Sequence, residues 1–449
     1  MKFENSKDLF SFKNLYWFYI VLMGLVFTFL VPPFQKLDEH THYNRVLSIS
    51  DGQLFCGTNK QFDINAGEYD LQNEMQFFEI VHDYEKKFPI SLIHFKENNR
   101  EDRVPLGMNA CLQNFVGYLP NVLGIFVGRI FKLPLLSFYL ARLSGFLFFI
   151  FCMYLSLNLL KGNIYYWIVV LFGLFIKVIF QVTTISYDVV QLSLTPLFFS
   201  LFIRLVTKSN NEKRDRFLLG ILLIVNYVFV KPGYYLLILL YILTFKKYSK
   251  KEVVNVIIFL CATFLSFIVY YFTSRVGNFN GDDFQMEFLK TNPVFFVTVI
   301  YRTTMESLPR YINEMIGSFG YNDYDLSSIV RYLYLIFLVN TFINLAKKGK
   351  KERINFGIIK VGILISMLIG TYVVLHFAMY SVWTPVGKNV VDGVQGRYFL
   401  PLLPYIFLIV IELCRRLNKK TNIQKIIVLL IFVIVIVDIS VKIYKRFYD

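Results

Sequence analysis

The chain has 449 residues, 56% of them hydrophobic and only 17% charged, with a formal net charge of +16. A soluble protein of this length does not carry so little charge, and the period-two alternation of a membrane barrel is absent. The excess Lys and Arg falls in short clusters between apolar runs, which excludes a nucleic-acid surface and points to a helical chain in a lipid bilayer.

Runs such as 15–31 and 423–441 are long enough to cross a hydrocarbon core of ~30 Å. Segments 14–32, 136–160, 164–181, 188–206, 217–230, 232–245, 253–272, 329–346, 354–376, 397–413 and 424–442 read as spans. This predicts an all-α polytopic membrane protein with about eleven transmembrane helices (range 10–13). The whole of 1–449 is read as a single transmembrane domain.

With the N-terminus cytoplasmic, the basic clusters at 208–216, 246–251, 347–353 and 415–425 fall inside. Segments 33–135, 273–328 and 377–396 then lie outside. The tail breaks the pattern, because it comes out exterior while carrying Lys445 and Arg446. Lys2, Lys7 and Lys13 resemble the start of a signal peptide, but no small-residue cleavage site follows, so the first span is read as uncleaved.

The first polar segment opens with PPFQKLDEHTHYNR, residues 32–45. If helical, it places Asp38, His42 and Arg45 on one face. An acid, an imidazole and a guanidinium would then meet at a membrane surface. The same stretch also reads as a helix N-cap at Asp38 followed by solvated charges. Asp38, Glu39, His40 and His42 are metal-ligand types, but their spacing matches no zinc pattern. The cofactor is therefore left unassigned, with a divalent ion on Asp38, Glu39 and His42 the less favoured reading. Cys56 and Cys111 fall in or beside the same segment, and a disulfide between them has only weak support. Cys152, Cys261 and Cys414 lie in apolar spans as inert packing residues.

Residues 109–131 are expected to form an amphipathic interfacial helix broken at Pro120. Ser186-Tyr187-Asp188 precedes a span, and Asp188 suits an N-cap. Lys231-Pro232-Gly233 interrupts an apolar run; its lysine must face a cavity or snorkel to the interface. Gly393 and Gly396 permit close backbone approach in VVDGVQGRYFLPLLP (390–404), and Arg397 sits at a helix start, where it can fork onto phosphate oxygens or anchor to lipid head groups.

Taken together and in order, these motifs resemble the DUF2142 family of bacterial membrane proteins, which is similar to a branch of the GT-C glycosyltransferases. The family's first-loop pattern is matched by Asp38-Glu39-His40-Thr41-His42-Tyr43-Asn44-Arg45, with Leu37 where the family has proline. Tyr118-Leu119-Pro120, Leu140-Ala141-Arg142-Leu143, Ser186-Tyr187-Asp188, Lys231-Pro232-Gly233-Tyr234 and Gln395-Gly396-Arg397-Tyr398-Phe399-Leu400-Pro401 also agree with it.

The resemblance implies an inverting transferase with GT-C-like exterior loops and interfacial helices. It would move sugar from a polyprenyl-phosphate-linked donor to a cell-surface or wall polysaccharide acceptor, on the exterior face of the cell membrane. Asp38 is expected to be the base, with Glu39 the alternative or the group that orients the acceptor. His42 and Arg45 would hold these carboxylates. Arg397, Lys231 and Arg142 would receive the phosphate. Tyr187, Asp188, Gln395 and Tyr398 complete the expected binding set. A flippase or transporter for the same lipid-linked sugars, or a polymerase, is the rival class.

Overall fold

The computed structural model describes residues 12–55, 61–107, 113–207, 212–245, 250–273, 283–348, 357–413 and 425–449. Cys56, Cys111 and Cys414, with most of the basic clusters, lie outside the described residues. The described residues are mostly helical, and every expected span has a helical counterpart. Among the described residues, six helices are long and apolar enough to cross a membrane, with further shorter apolar helices beside them.

Helix α1 (Phe12–Phe29) leads through a tight linker into α2 (Glu39–Ser50). Strand β1 (Gln61–Asn65), α3 (Ala66–Glu74), α4 (Phe77–His82) and strand β2 (Arg103–Gly107) follow. β1 and β2 pair antiparallel, from Gln61 opposite Gly107 to Asn65 opposite Arg103. Then come α5 (Leu119–Arg129), α6 (Pro134–Leu159), α7 (Tyr166–Leu174), α8 (Ile176–Val182), α9 (Asp188–Thr207) and α10 (Glu212–Ile224). A wide turn over Val225–Val230 and a tight one over Pro232–Leu239 flank Lys231, so the proline and glycine do divide this run.

The second half holds α11 (Leu240–Leu243), α12 (Lys250–Thr273), α13 (Asp283–Thr291), α14 (Pro293–Ile316), a hairpin of β3 (Ser318–Phe319) and β4 (Tyr324–Asp325), α15 (Ser328–Lys348), α16 (Gly357–Val382), α17 (Leu403–Leu413) and α18 (Lys425–Phe447).

The apolar pattern decides which helices are central. In α9 83% of the span is buried, against 11% in α12, whose Ile257, Ile258, Phe264 and Leu265 face outward. α9 is thus the central post, and α12 presents a surface suited to lipid tails. Two details, at Pro120 and in segment 273–328, depart from the sequence reading. Pro120 opens α5 rather than breaking it, since proline is tolerated in a first helical turn. At 11 residues α5 is about 16 Å long, too short to cross, and its Gly124 and Gly128 lie against the backbone of α6. Segment 273–328, expected as a loop, contains the 24-residue α14, whose apolar and polar residues lie on opposite sides.

The C-terminal tail is on the same face as residues 33–135, here called the loop face. The Phe88 amide donates to the Phe447 carbonyl, and the Tyr448 hydroxyl to that of Leu30. Arg446 is buried there, with its Nε 2.7 Å from an Asp323 oxygen and its Nη2 donating to the Ile80 carbonyl. The basic residue that broke the topology pattern is a structural clamp on the β3–β4 hairpin.

Candidate active site

Two left-handed residues, Phe34 and Asp38, shape the linker between α1 and α2. A non-glycine residue at positive φ is uncommon and is retained where the surroundings enforce it. Here Phe34 packs against Tyr43 and Phe138, and Lys36 is fully buried, donating to the carbonyl and hydroxyl of Thr183 at 2.6 and 2.9 Å. The linker is thereby fixed into the protein, and Asp38 is presented at its end.

Asp38 sits at the N-terminus of α2 with φ 61° and makes no side-chain capping bond. Its carboxylate instead accepts a hydrogen bond from Arg397 Nη2 at 2.6 Å. The Arg397 side chain is 8% exposed and that of Asp38 is 48% exposed. The carboxylate is thus reachable from outside, fixed by a buried cation and not used as a cap. Partial burial raises the Asp38 pKa, but the Arg397 charge and hydrogen bond outweigh it and hold the carboxyl below its ordinary range.

Glu39 faces the other way. It is completely buried and pairs with Arg142, Nε to Oε1 at 2.8 Å and Nη2 to Oε2 at 2.5 Å. Arg142 also donates to the carbonyls of Thr28, Val31 and Pro32, and Glu39 accepts the Ile185 amide. This fork ties α1, α2, α6 and the turn before α9 together. Both residues were expected at the reacting centre, Glu39 as alternative base and Arg142 at the phosphate. The structure places both in an internal fork instead, with every strong hydrogen-bonding direction of the pair used inside the protein.

Arg45 is likewise turned inward. It is 1% exposed and donates to the carbonyls of Gln53, Leu54 and Gln113 and to the Ser48 hydroxyl. It stitches the first loop together and bonds neither carboxylate. With Asp38 outside the helix, the expected shared face of 38, 42 and 45 does not form.

His42 stays at the site. Its Nδ1 is 2.7 Å from the Tyr118 hydroxyl and its ring meets Tyr187 edge-on. Burial pulls its pKa down to about 4, so the imidazole is neutral at neutral pH and acts as a hydrogen-bonding partner. Asp38, Glu39 and His42 do not converge, and among the described residues no three His, Cys, Asp or Glu side chains group as metal ligands.

Behind Asp38 the central helix supplies Asp188. Its carboxylate is not a simple cap: it takes Lys231 Nζ at 2.6 Å and Gln181 Nε2 at 3.2 Å. Lys231 lies over the rings of Tyr187, Tyr234 and Tyr398, 4.9, 5.6 and 4.8 Å from their centroids. An ammonium held by one carboxylate and three aromatic faces is strongly localised.

The turn carrying Arg397 is set by Gly396, whose amide donates to Glu314 at 2.5 Å. A Cβ there would come within 2.4 Å of the Tyr311 carbonyl oxygen. Gly393 has a left-handed φ of 79°, so both glycines serve the backbone. The Arg397 Nε and Gln395 Oε1 are buried without partners. They belong to the wall of a small cavity of about 10 Å³, no larger than a water needs, that Lys177, Glu314 and Leu37 also line.

Lys177 and Glu314 were missed by sequence reasoning. Lys177 is 5% exposed, donates to the Ser318 carbonyl and lies over Phe180 and Phe319. A lysine inside an apolar span was itself the available signal. Glu314 gave none, since its role depends on the fold of a turn 82 residues away.

The structure therefore brings together Asp38, His42, Tyr187, Asp188, Lys231, Gln395, Arg397 and Tyr398 on the loop face, and leaves Glu39, Arg45 and Arg142 as scaffold. No curated protein and no solved structure matches the chain. A family model described as predicted membrane protein (DUF2142) matches residues 21–406, and the chain belongs to that family.

Proposed function

We propose that the protein is an inverting glycosyltransferase of the GT-C type, which moves a sugar from a polyprenyl-phosphate donor to a surface or wall polysaccharide on the exterior face. The observation that carries this reading is the half-exposed Asp38 carboxylate held 2.6 Å from the buried Arg397 guanidinium. Base and anion acceptor stand side by side.

In the proposed step, Asp38 takes the proton of the acceptor hydroxyl. The acceptor oxygen forms its bond to the anomeric carbon from the face opposite the phosphate. The bond from that carbon to the phosphate oxygen breaks, and the phosphate leaves with the electron pair. Arg397 and Lys231 stabilise the charge that develops there, a fixed electrostatic contribution of the kind that dominates many enzymes. Phosphate at Arg397 competes with Asp38 for the guanidinium, which returns basicity to the carboxylate. His42, held by Tyr118, lines the acceptor side.

A flippase for the same lipid would share the buried Lys231–Asp188 pair beside a broken helix. Purified protein in vesicles, given radiolabelled polyprenyl-phosphate sugar and acceptor polysaccharide, separates the two. Label joining the acceptor supports the transferase. Label that crosses the bilayer still attached to its lipid overturns it.

A further inference from the structure

We propose that a polar cleft at the far end of α2 from Asp38 binds an anionic saccharide, as a distal subsite for the polysaccharide acceptor. Naming the ligand as acceptor rests on the transferase reading; the cleft itself does not.

The cleft is open to solvent and has a volume of about 220 Å³, below the roughly 300–1,000 Å³ of sites that enclose a whole drug-sized ligand, so it holds part of a longer ligand. Its walls come from the end of α2, β1, α3, β2, the end of α5 and the start of α6. All its lining side chains except Leu133 and Pro134 are polar. That lining suits a hydroxyl-rich ligand and offers no groove for an acyl chain.

The cleft is also preorganised. Arg129 donates to both Glu68 oxygens at 2.7 and 2.6 Å and to Asp51 at 2.8 Å. Asp51 also takes Arg103. Asn65 accepts from the Glu68 amide at 3.1 Å and from Asn98 at 2.7 Å. Side chains already fixed lose little freedom when a ligand arrives.

Two cations give the cleft its sign. Lys132 is exposed, held at a left-handed φ of 54°, and has no ion pair among the described residues. Arg103 is 46% exposed, and among the described residues only its Nη2 is bonded. Both can meet a carboxylate or phosphate on a sugar. α2 joins the two places directly, with Asp38 at one end and Asp51 at the other. Its 12 residues span about 18 Å, the reach of a short oligosaccharide. α2 itself is buried, so a polymer held in the cleft would reach Asp38 over the surface that covers this helix.

The test uses the full-length protein in zwitterionic nanodiscs, titrated calorimetrically with an acidic probe, oligogalacturonate, and a neutral one, maltohexaose. The acidic probe should bind wild type and Asp38→Asn alike, and Lys132→Glu should weaken it about tenfold with Lys132→Ala between. Equal binding of the neutral probe, no effect of Lys132→Glu, or no binding at all overturns the proposal. So does loss of probe binding on adding phosphatidylglycerol to the nanodisc, which would make the cleft a lipid-headgroup site. Probe binding that obeys these rules in a protein that transfers no sugar leaves the cleft standing and removes the transferase reading. Transfer with an unchanged acceptor KM in Lys132→Glu removes the acceptor assignment.

Discussion

The Asp38 carboxylate lies 2.6 Å from Arg397, 359 residues further along the chain. One residue ends the linker after the first helix; the other begins the turn before α17. Their meeting divides the charges singled out in the sequence into two groups. Asp38, Asp188, Lys231 and Arg397 surround a reachable site, and Glu39, Arg45 and Arg142 are consumed by the scaffold.

Separating Asp38 from Glu39 is the first consequence. Asp38→Asn should lower transfer by about 10²–10⁴-fold while leaving thermal unfolding in detergent close to wild type. Glu39→Gln should instead lower the unfolding temperature. Activity retained in Asp38→Asn with loss confined to Glu39→Gln would reverse the assignment.

The Glu39–Arg142 fork carries a stability prediction. Both side chains are 0% exposed, so removing one partner leaves a buried unpaired charge. Arg142→Met should cost about 3–5 kcal/mol, measured by chemical unfolding. The double variant Glu39→Gln/Arg142→Met should recover part of that loss. A double variant as unstable as the sum of the singles would contradict the pairing.

His42 predicts how stability depends on pH. Its folded pKa is depressed from 6.5 to about 4, so between those values the unfolded chain binds more protons than the folded one. Stability should therefore fall as pH drops from about 6.5 toward 4, by up to about 3 kcal/mol from this group. His42→Gln should flatten that part of the profile. A profile with the same slope in the variant would remove His42 as its source.

Much of the fold was legible because lipid imposes a strong rule: apolar runs long enough to span become helices, and Pro232-Gly233 divides one of them. The division of charges was not legible. Asp38 and Glu39 are adjacent and chemically alike, and what separates them is a left-handed backbone at Asp38 and an arginine 103 residues from Glu39. Arg45 looked like a site residue because its helical spacing fits; its actual partners are backbone carbonyls, which carry no sequence signature. Arg446 looked misplaced until Asp323 and three carbonyls accounted for its charge.

Gly396 links backbone packing to the site. In Gly396→Ala the new Cβ would lie 2.4 Å from the Tyr311 carbonyl oxygen and 2.7 Å from Glu314 Cβ. Backbone must move, and Arg397 moves with it. The expected result is a destabilisation of about 1–3 kcal/mol with a larger proportional loss of transfer. Wild-type kinetics in this variant would show that the turn does not position Arg397.

The most direct measurement is transfer of labelled sugar from polyprenyl phosphate by purified wild type, Asp38→Asn and Arg397→Ala, each first shown to be folded. Wild type should pass label to the acceptor, and both variants should fail while remaining in the membrane. Near-normal turnover in either variant, or no transfer by wild type with any polyprenyl-phosphate sugar, would contradict the reading of this pair as base and phosphate acceptor.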